Sequence, residues 1–303
     1  MNTLIRIIVI FFALSTSVSS EENPKTIGFG FILNNDFFGD GKDRWQTGSL
    51  STSRLYGSLT SGQVPTAFGD LIEIRLQDQV ISPNDTTSAR PDRQWAGVYS
   101  FGLHSHFRDN VFRYSLGIDL NILGPQTGLF DFQEKLHERI GNAPFNDAIK
   151  DTAISDQVKI SALTEVAYPF EFGQQANGGV FGEVRTGLED IARIGFDMSI
   201  GKDHFAPIKV RDTVTGQLYT VIPDSKPSFY FSFGADTAKI GRSVFFQDPT
   251  IATALPNRHR VRASLNWGAG RAFGFFGLTW LSPEFEGQKS GQIVGSWQTQ
   301  IKF

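Results

Sequence analysis

Few side chains in this sequence are equipped for covalent catalysis. There is no cysteine, which removes thiolate attack and disulfide stapling and disfavours a structural zinc site. No Gly-x-Ser-x-Gly elbow presents a serine nucleophile. What the chain does offer is five histidines, His137 among them, a residue type suited to general-base work near neutral pH. It also offers many hard oxygen donors, such as Asn35, Asp36 and Thr47, a kind that suits calcium better than a softer metal. A water activated by a base fits this inventory better than an acyl-enzyme. Each residue also has a plainer use. Asn35-Asp36 is a favoured turn pair at a strand end, Thr47 an ordinary strand residue, His137 a solvated histidine on a surface helix, and Asp43-Arg44 an ion pair or loop anchor. His104 and His106, two apart on one strand face, suggest metal but have no third ligand.

The elements that must position these residues are read from periodicity. Phe112, Tyr114, Leu116, Ile118 and Leu120 alternate with Arg113, Ser115, Gly117 and Asp119. Ala192 to Ile200 and Val261 to Trp267 repeat the pattern, and a period of two places each set on its own face of a strand. A soluble sandwich would set long charged side chains on its polar face. Here that face mixes both signs with Gly, Ser and Asn, which suits a narrow lumen behind a lipid-facing apolar band. A sheet that spans lipid must also close. We therefore expect an all-β transmembrane antiparallel barrel of twelve strands, near 26–36, 46–57, 69–80, 94–104, 110–121, 157–169, 177–188, 191–202, 227–238, 258–268, 270–281 and 291–303. The segment from Ser243 to Phe246 is the candidate for an extra short strand. Glu73, Arg75, Arg113, Asp119, Glu183, Arg185, Arg193, Asp197, Arg260 and Arg262 are expected to form a structural network filling the bore.

An even strand count puts both termini on the periplasmic side, so the connections at 36–45, 81–93 and 122–156 face outward. The last, about 35 residues, opens on the breaker pair Gly124-Pro125. Leu129, Phe132, Leu136 and Ile140 then recur at spacings of three and four, which predicts a short helix over 129–140 ended by Gly141. A loop of this length with its own helix is usually functional. On the first strand Ile27, Phe29, Phe31 and Leu33 form the lipid-facing set. Asn35 continues their parity and should point outward at the rim, unless a bulge near Asn34 turns it.

Residues 1–20 read as a cleaved signal peptide: Arg6, the apolar run Ile7 to Leu14, then Val18 and Ser20 before the cut. Residues 21–303 form the barrel domain, and no later segment approaches the roughly twenty apolar residues of a membrane helix. Mean hydropathy is −0.17, a value in which alternation averages the apolar face away. A net charge of −3, dispersed along the chain, gives no nucleic-acid surface. The final strand sets Ile293, Trp297, Ile301 and the terminal Phe303 on one parity, and a last strand ending on Phe resembles the C-terminal signature of outer-membrane barrels.

Asn35-Asp36, Asp43-Arg44 with Thr47-Gly48, Ser82-Pro83, Asp92-Arg93 with Ala96-Gly97, and Gly124-Pro125 followed by Gln133, His137 and Ile140-Gly141 together resemble the outer-membrane lipid A 3′-O-deacylases. The resemblance runs over residues 26–142. It implies a calcium-dependent ester hydrolase of the cell outer membrane that strips 3′-linked acyl chains from lipid A in lipopolysaccharide. It makes His137 the base that activates water, and Asn35, Asp36 and Thr47 the site for calcium and the ester oxygen. Best-known members carry a glutamate shortly after the histidine, where this chain has Asn142-Ala143-Pro144. Glu134, one turn before His137, is the available partner. A basic residue expected after Ser82-Pro83 has no clear counterpart among Ser88 to Arg90. Two other readings compete: a non-catalytic channel or structural barrel, and an outer-membrane phospholipase, which needs a serine–histidine pair.

Overall fold

Alternation along each strand becomes a closed wall in the computed structural model, which describes residues 26–59, 63–172, 176–202, 208–222, 228–269 and 272–301. The strands are β1 (Thr26–Asn35), β2 (Trp45–Gly57), β3 (Leu71–Ser82), β4 (Ala96–Asp109), β5 (Phe112–Leu123), β6 (Gln157–Phe172), β7 (Ala176–Thr186) and β8 (Glu189–Lys202). Then come the short β9 (Ile208–Arg211) and β10 (Leu218–Ile222), followed by β11 (Ser228–Ser243), β12 (Asn257–Ala269), β13 (Ala272–Leu281) and β14 (Gln292–Ile301). All but β9 and β10 form one antiparallel ring of twelve, closed where Leu33 pairs with Trp297 and Asn35 with Gly295. Closure leaves no strand edge for lipid to satisfy. No helix among the described residues is long and apolar enough to cross a membrane.

The twelve expected strands are these twelve. Ser243 to Phe246 adds none, because Ser243 ends β11 and a turn follows. The signal-peptide segment and Phe303 lie outside the described residues. Outward positions such as Phe29, Leu33, Phe101, Leu103, Ile118, Ile194, Phe229 and Trp297 are exposed, and the alternate set is buried.

The bore is filled, although paired charges are only part of the filling. None of the twelve expected strands falls in the stretch between β8 and β11. There β9 and β10 pair as a hairpin inside the barrel. Ile208, Val210, Tyr219 and Val221 pack on Ile32, Leu55, Leu71, Phe273 and Phe275 as an apolar core in the half of the lumen nearest the termini. The hairpin lies so close to β1 that a Cβ at Gly30 would stand 2.5 Å from the Thr220 carbonyl oxygen, so only glycine fits there.

Around the hairpin runs the charge network. Arg211 donates to Glu165 at 2.6 Å and Asp197 at 2.9 Å, Arg193 and Arg260 each reach Asp236 at 3.0 Å, and Arg75 bonds Glu73 at 2.7 Å. His106 sits on Glu73 at 2.7 Å and His104 on Asp119 at 3.0 Å. The two histidines thus bond different acids. Arg113 departs from the expected lumen set, being exposed at the end of the barrel where β5 begins.

At the far rim, opposite the termini, loop side chains cap the bore. Arg93 bonds Glu284 at 2.7 Å and lies over the Phe246 ring at 4.9 Å, while Trp45, Ala252 and Phe285 cluster beside it. A polar cavity of about 100 Å³ is left between hairpin and cap.

Candidate active site

The far rim above β1 to β4 is where the three singled-out connections meet. After β1, Asn35 caps a single 3-10 turn, Asp36–Phe38, its Oδ1 accepting from the Phe37 amide at 2.8 Å. The register Asn34↔Ser49 and Asn35↔Gly48 is regular, so Asn35 points outward as its parity requires, with no bulge at Asn34. Asp36 has the opposite parity and is fully buried, its Oδ2 accepting from the Arg44 amide at 2.8 Å and from Gln292 at 3.3 Å.

The chain enters β2 through Trp45, whose φ of 52° lies in the left-handed region. An indole bond to Asp92 at 2.9 Å and the Arg44 guanidinium 4.0 Å above the ring hold it there. Strain of this kind persists only where surroundings enforce it. The β2–β3 register then slips between Gln46 and Gly48, which leaves Thr47 as the bulged residue. Bulges re-aim side chains at rims, and this one aims Thr47 at two carboxylates. Its hydroxyl donates to Asp43 and lies 3.3 Å from Asp36 Oδ1.

The third connection supplies helix α1 (Leu129–Ile140), closed by Gly141 in the left-handed conformation as its sequence predicts. The face it presents to the protein differs from the one its apolar spacing suggests. Leu129, Phe130, Gln133 and His137 are buried, whereas Phe132 and Ile140 are 40% and 62% exposed. Leu129 and Phe130 pack with Trp95, Val80 and Tyr99 against the outer wall of β3 and β4. A Cβ at Gly97 would stand 3.0 Å from that of Leu129, so the wall is smooth where the helix lands. Gln133 accepts from the Trp95 indole at 2.8 Å. One turn on, His137 Nε2 bonds Asp43, with the Phe145 ring edge-on at 4.9 Å.

The structure therefore joins His137, Asp43, Thr47 and Asp36 in one line of contacts, with Asn35 beside them on the outer face. Glu134 does not take its expected place. No bond between Glu134 and His137 forms, because His137 turns into the protein toward the loop after β1 while Glu134 stays half-exposed. Asp43, expected to pair with Arg44, is the partner instead, and Arg44 pairs with Asp40 at 3.1 Å. Ser88 and Arg90 bond each other in an exposed turn. A short helix, α2 (Asp147–Asp151), completes the long connection and buries Ile149 beside Phe130 and Phe145.

Electrostatics separate the two aspartates. Burial pushes the Asp36 carboxyl up to about 8, with Asp43 and Asp40 adding to the rise against the bond from the Arg44 amide. Burial also acts upward on Asp43, but its bonds to His137, Thr47 and Gln133 and the imidazole charge outweigh it and hold that carboxyl below its ordinary range. A hydroxyl has one proton to donate. Thr47 gives it to Asp43, so the contact between Thr47 and Asp36 needs a proton on Asp36 or a cation between the oxygens. Hard oxygens around an uncompensated buried carboxylate fit calcium. Among the described residues no three acidic or histidine side chains form a ready cage, so hydroxyl, amide or carbonyl oxygens would complete the set.

The chain matches the family model of outer membrane protein LpxR over residues 5–303. No curated protein sequence matches it. Among solved structures it resembles LpxR from Salmonella typhimurium with a TM-score of 0.75 at 15% identity, covering 91% of this chain and 100% of that one. This is a likeness of fold. An outer membrane channel from Pseudomonas putida F1 aligns over 94% of this chain and 100% of its own, at 11% identity and a TM-score of 0.44, which is too loose to bear on the site. The family match spans nearly the whole chain, and the chain belongs to the LpxR family of outer membrane proteins, a lipid A deacylase family.

Proposed function

We infer that this barrel is a calcium-dependent lipid A 3′-O-deacylase acting at the exterior leaflet, with His137 as the base that activates water. The observation that carries the reading is the line from His137 through Asp43 and Thr47 to Asp36, set between α1 and the outer wall. The far rim faces the exterior when both termini are periplasmic, which puts this line beside outer-leaflet lipid.

The chemistry follows from proton positions. Asp43 accepts from Nε2–H of His137, which leaves the lone pair on Nδ1, and Nδ1 bonds no described protein group. Nδ1 takes a proton from water as the water oxygen attacks the ester carbonyl, and the imidazolium formed is stabilised by Asp43. Collapse of the tetrahedral adduct breaks the bond to the sugar oxygen, which receives the proton back from His137. The products are a free fatty acid and a lipid alcohol. Asn35 already spends its Oδ1 on Phe37, so its amide N–H is the group left to donate to the ester oxygen. Asp36 and Thr47, with Asn35 nearby, are the residues that would hold calcium. Bound there, calcium supplies the positive charge that steadies negative oxygen.

The channel reading is opposed by the hairpin and the cap across the bore. The phospholipase reading lacks its serine, since no described serine bonds His137. To test the proposal, purified barrel in mixed micelles is given lipid A or a glycerophospholipid, with calcium or with a chelator. Fatty acid released from lipid A alone, and only with calcium, supports it. Release from phospholipid alone, or no release from either, refutes it.

A further inference from the structure

Asp78 stands on the lipid-facing side of β3. Its neighbours across the sheet are Leu50 and Tyr99, and the next outward row is Thr52, Leu76 and Phe101. A carboxylate among hydrocarbon-facing positions is costly and marks function by default. Here it borders a furrow of about 200 Å³ in the outer wall, lined by Leu50, Thr52, Leu76, Tyr99 and Phe101. Asp78 Oδ1 accepts from the Leu50 amide at 3.0 Å. No described residue bonds its other oxygen.

The furrow lies two residues along the strands from the candidate active site. Tyr99, which lines it, also packs under α1. The row above it, Gly48, Val80 and Gly97, is the one beside Asn35 and the helix. On a strand rising about 3.3 Å per residue, Asp78 lies about 7 Å below that row. A chain descending from an ester at the rim into the membrane passes it. An ordinary methylene chain gives a buried carboxylate nothing in return for desolvation.

We propose that this furrow seats an acyl chain of the lipid substrate and that Asp78 accepts a hydrogen bond from a donor carried within it, a hydroxyl or an amide N–H. Asp78 then acts as a specificity-determining residue that distinguishes such chains from plain ones. The proposal rests on the deacylase reading for the identity of the lipid, but its test reads binding and not turnover.

The full barrel carrying His137→Ala, so that lipid is not consumed, is titrated in mixed micelles with three ligands. These are lipid A, an analogue without the chain hydroxyls, and an analogue whose amide-linked chains are ester-linked. Asp78→Leu is expected to weaken lipid A binding about tenfold, the lower end for a hydrogen bond to a charged group. It should leave unchanged the analogue that lacks the donor Asp78 accepts, which identifies hydroxyl or amide as the source. Asp78→Asn keeps an acceptor oxygen without the charge and is expected to lose about threefold with the same selectivity. Should the leucine variant fail the heat-shift test of a folded barrel, the asparagine variant decides. Equal losses on all three ligands, or none on any, overturn the proposal. A wild type that binds with this selectivity but cleaves no lipid A overturns the deacylase reading alone.

Discussion

Replacing Asp43 by asparagine preserves shape and removes one charge, and the structure says what that does to His137. Asp43 presents only acceptor oxygens to Nε2, which fixes the Nε2–H tautomer and leaves Nδ1 basic. An asparagine amide at that spot offers a donor, and the imidazole then places its proton on Nδ1, where it is useless as a base. The variant also loses the charge that stabilises the imidazolium. A hydrogen bond to a charged group is worth about 1.5–3 kcal/mol, which corresponds to roughly 10- to 150-fold in rate. The expected result for Asp43→Asn is a kcat reduced by that factor with KM within about twofold, because Asp43 bonds His137, the proposed base. Rates of fatty-acid release in micelles are compared at several calcium concentrations, so that altered metal affinity is separated from altered chemistry. Combined with His137→Ala, the double variant should be no slower than His137→Ala alone. A kcat within twofold of wild type, or a loss that appears only in KM, refutes the assignment of Asp43 as the residue that orients the base.

Glu134→Gln, by contrast, should leave activity within about twofold, since His137 bonds Asp43 and not Glu134; a larger kinetic loss contradicts this. Asp36, buried and pushed up to about 8, would hold calcium only once deprotonated. Affinity should therefore rise with pH, by at most about tenfold per unit below 8, and calorimetry with Asp36→Asn should show a flat, weak response. The raised carboxyl also makes calcium-free stability greatest below the ordinary carboxylate value and lower as pH climbs toward 8, a slope that urea unfolding of Asp36→Asn should lose. Wild type should show no steady conductance in planar bilayers. Val210→Asp with Val221→Asp, which puts two unpaired carboxylates into the hairpin core, should open one.

Much of this fold is legible in the sequence because lipid on one side and a packed bore on the other enforce a period of two. The twelve strands and the outward parity of Asn35 follow from that rule, and the helix at 129–140 follows from apolar spacings of three and four. The lumen hairpin does not, since its strands are only four and five residues long. A signal was nevertheless there: Ile208 and Val210, then Tyr219 and Val221, flank the turn-forming Asp212 to Gly216. The apolar spacing of α1 does not mark its buried face, for a physical reason. At a membrane rim apolar side chains need not be buried in protein, so Phe132 and Ile140 face outward and Gln133 and His137 inward. The pairing of Asp43 with His137 joins residues 94 apart. The family's glutamate drew attention to Glu134, although an acid reaching the imidazole from another loop does the same work.

The central claim is tested most directly by mass spectrometry of lipid A from a Gram-negative host expressing the wild-type chain or His137→Ala, with calcium supplied and both confirmed as folded outer-membrane barrels. Loss of the 3′-linked acyl mass in the wild type alone is the predicted result. Lipid A left intact by both, or trimmed equally by both, contradicts the account.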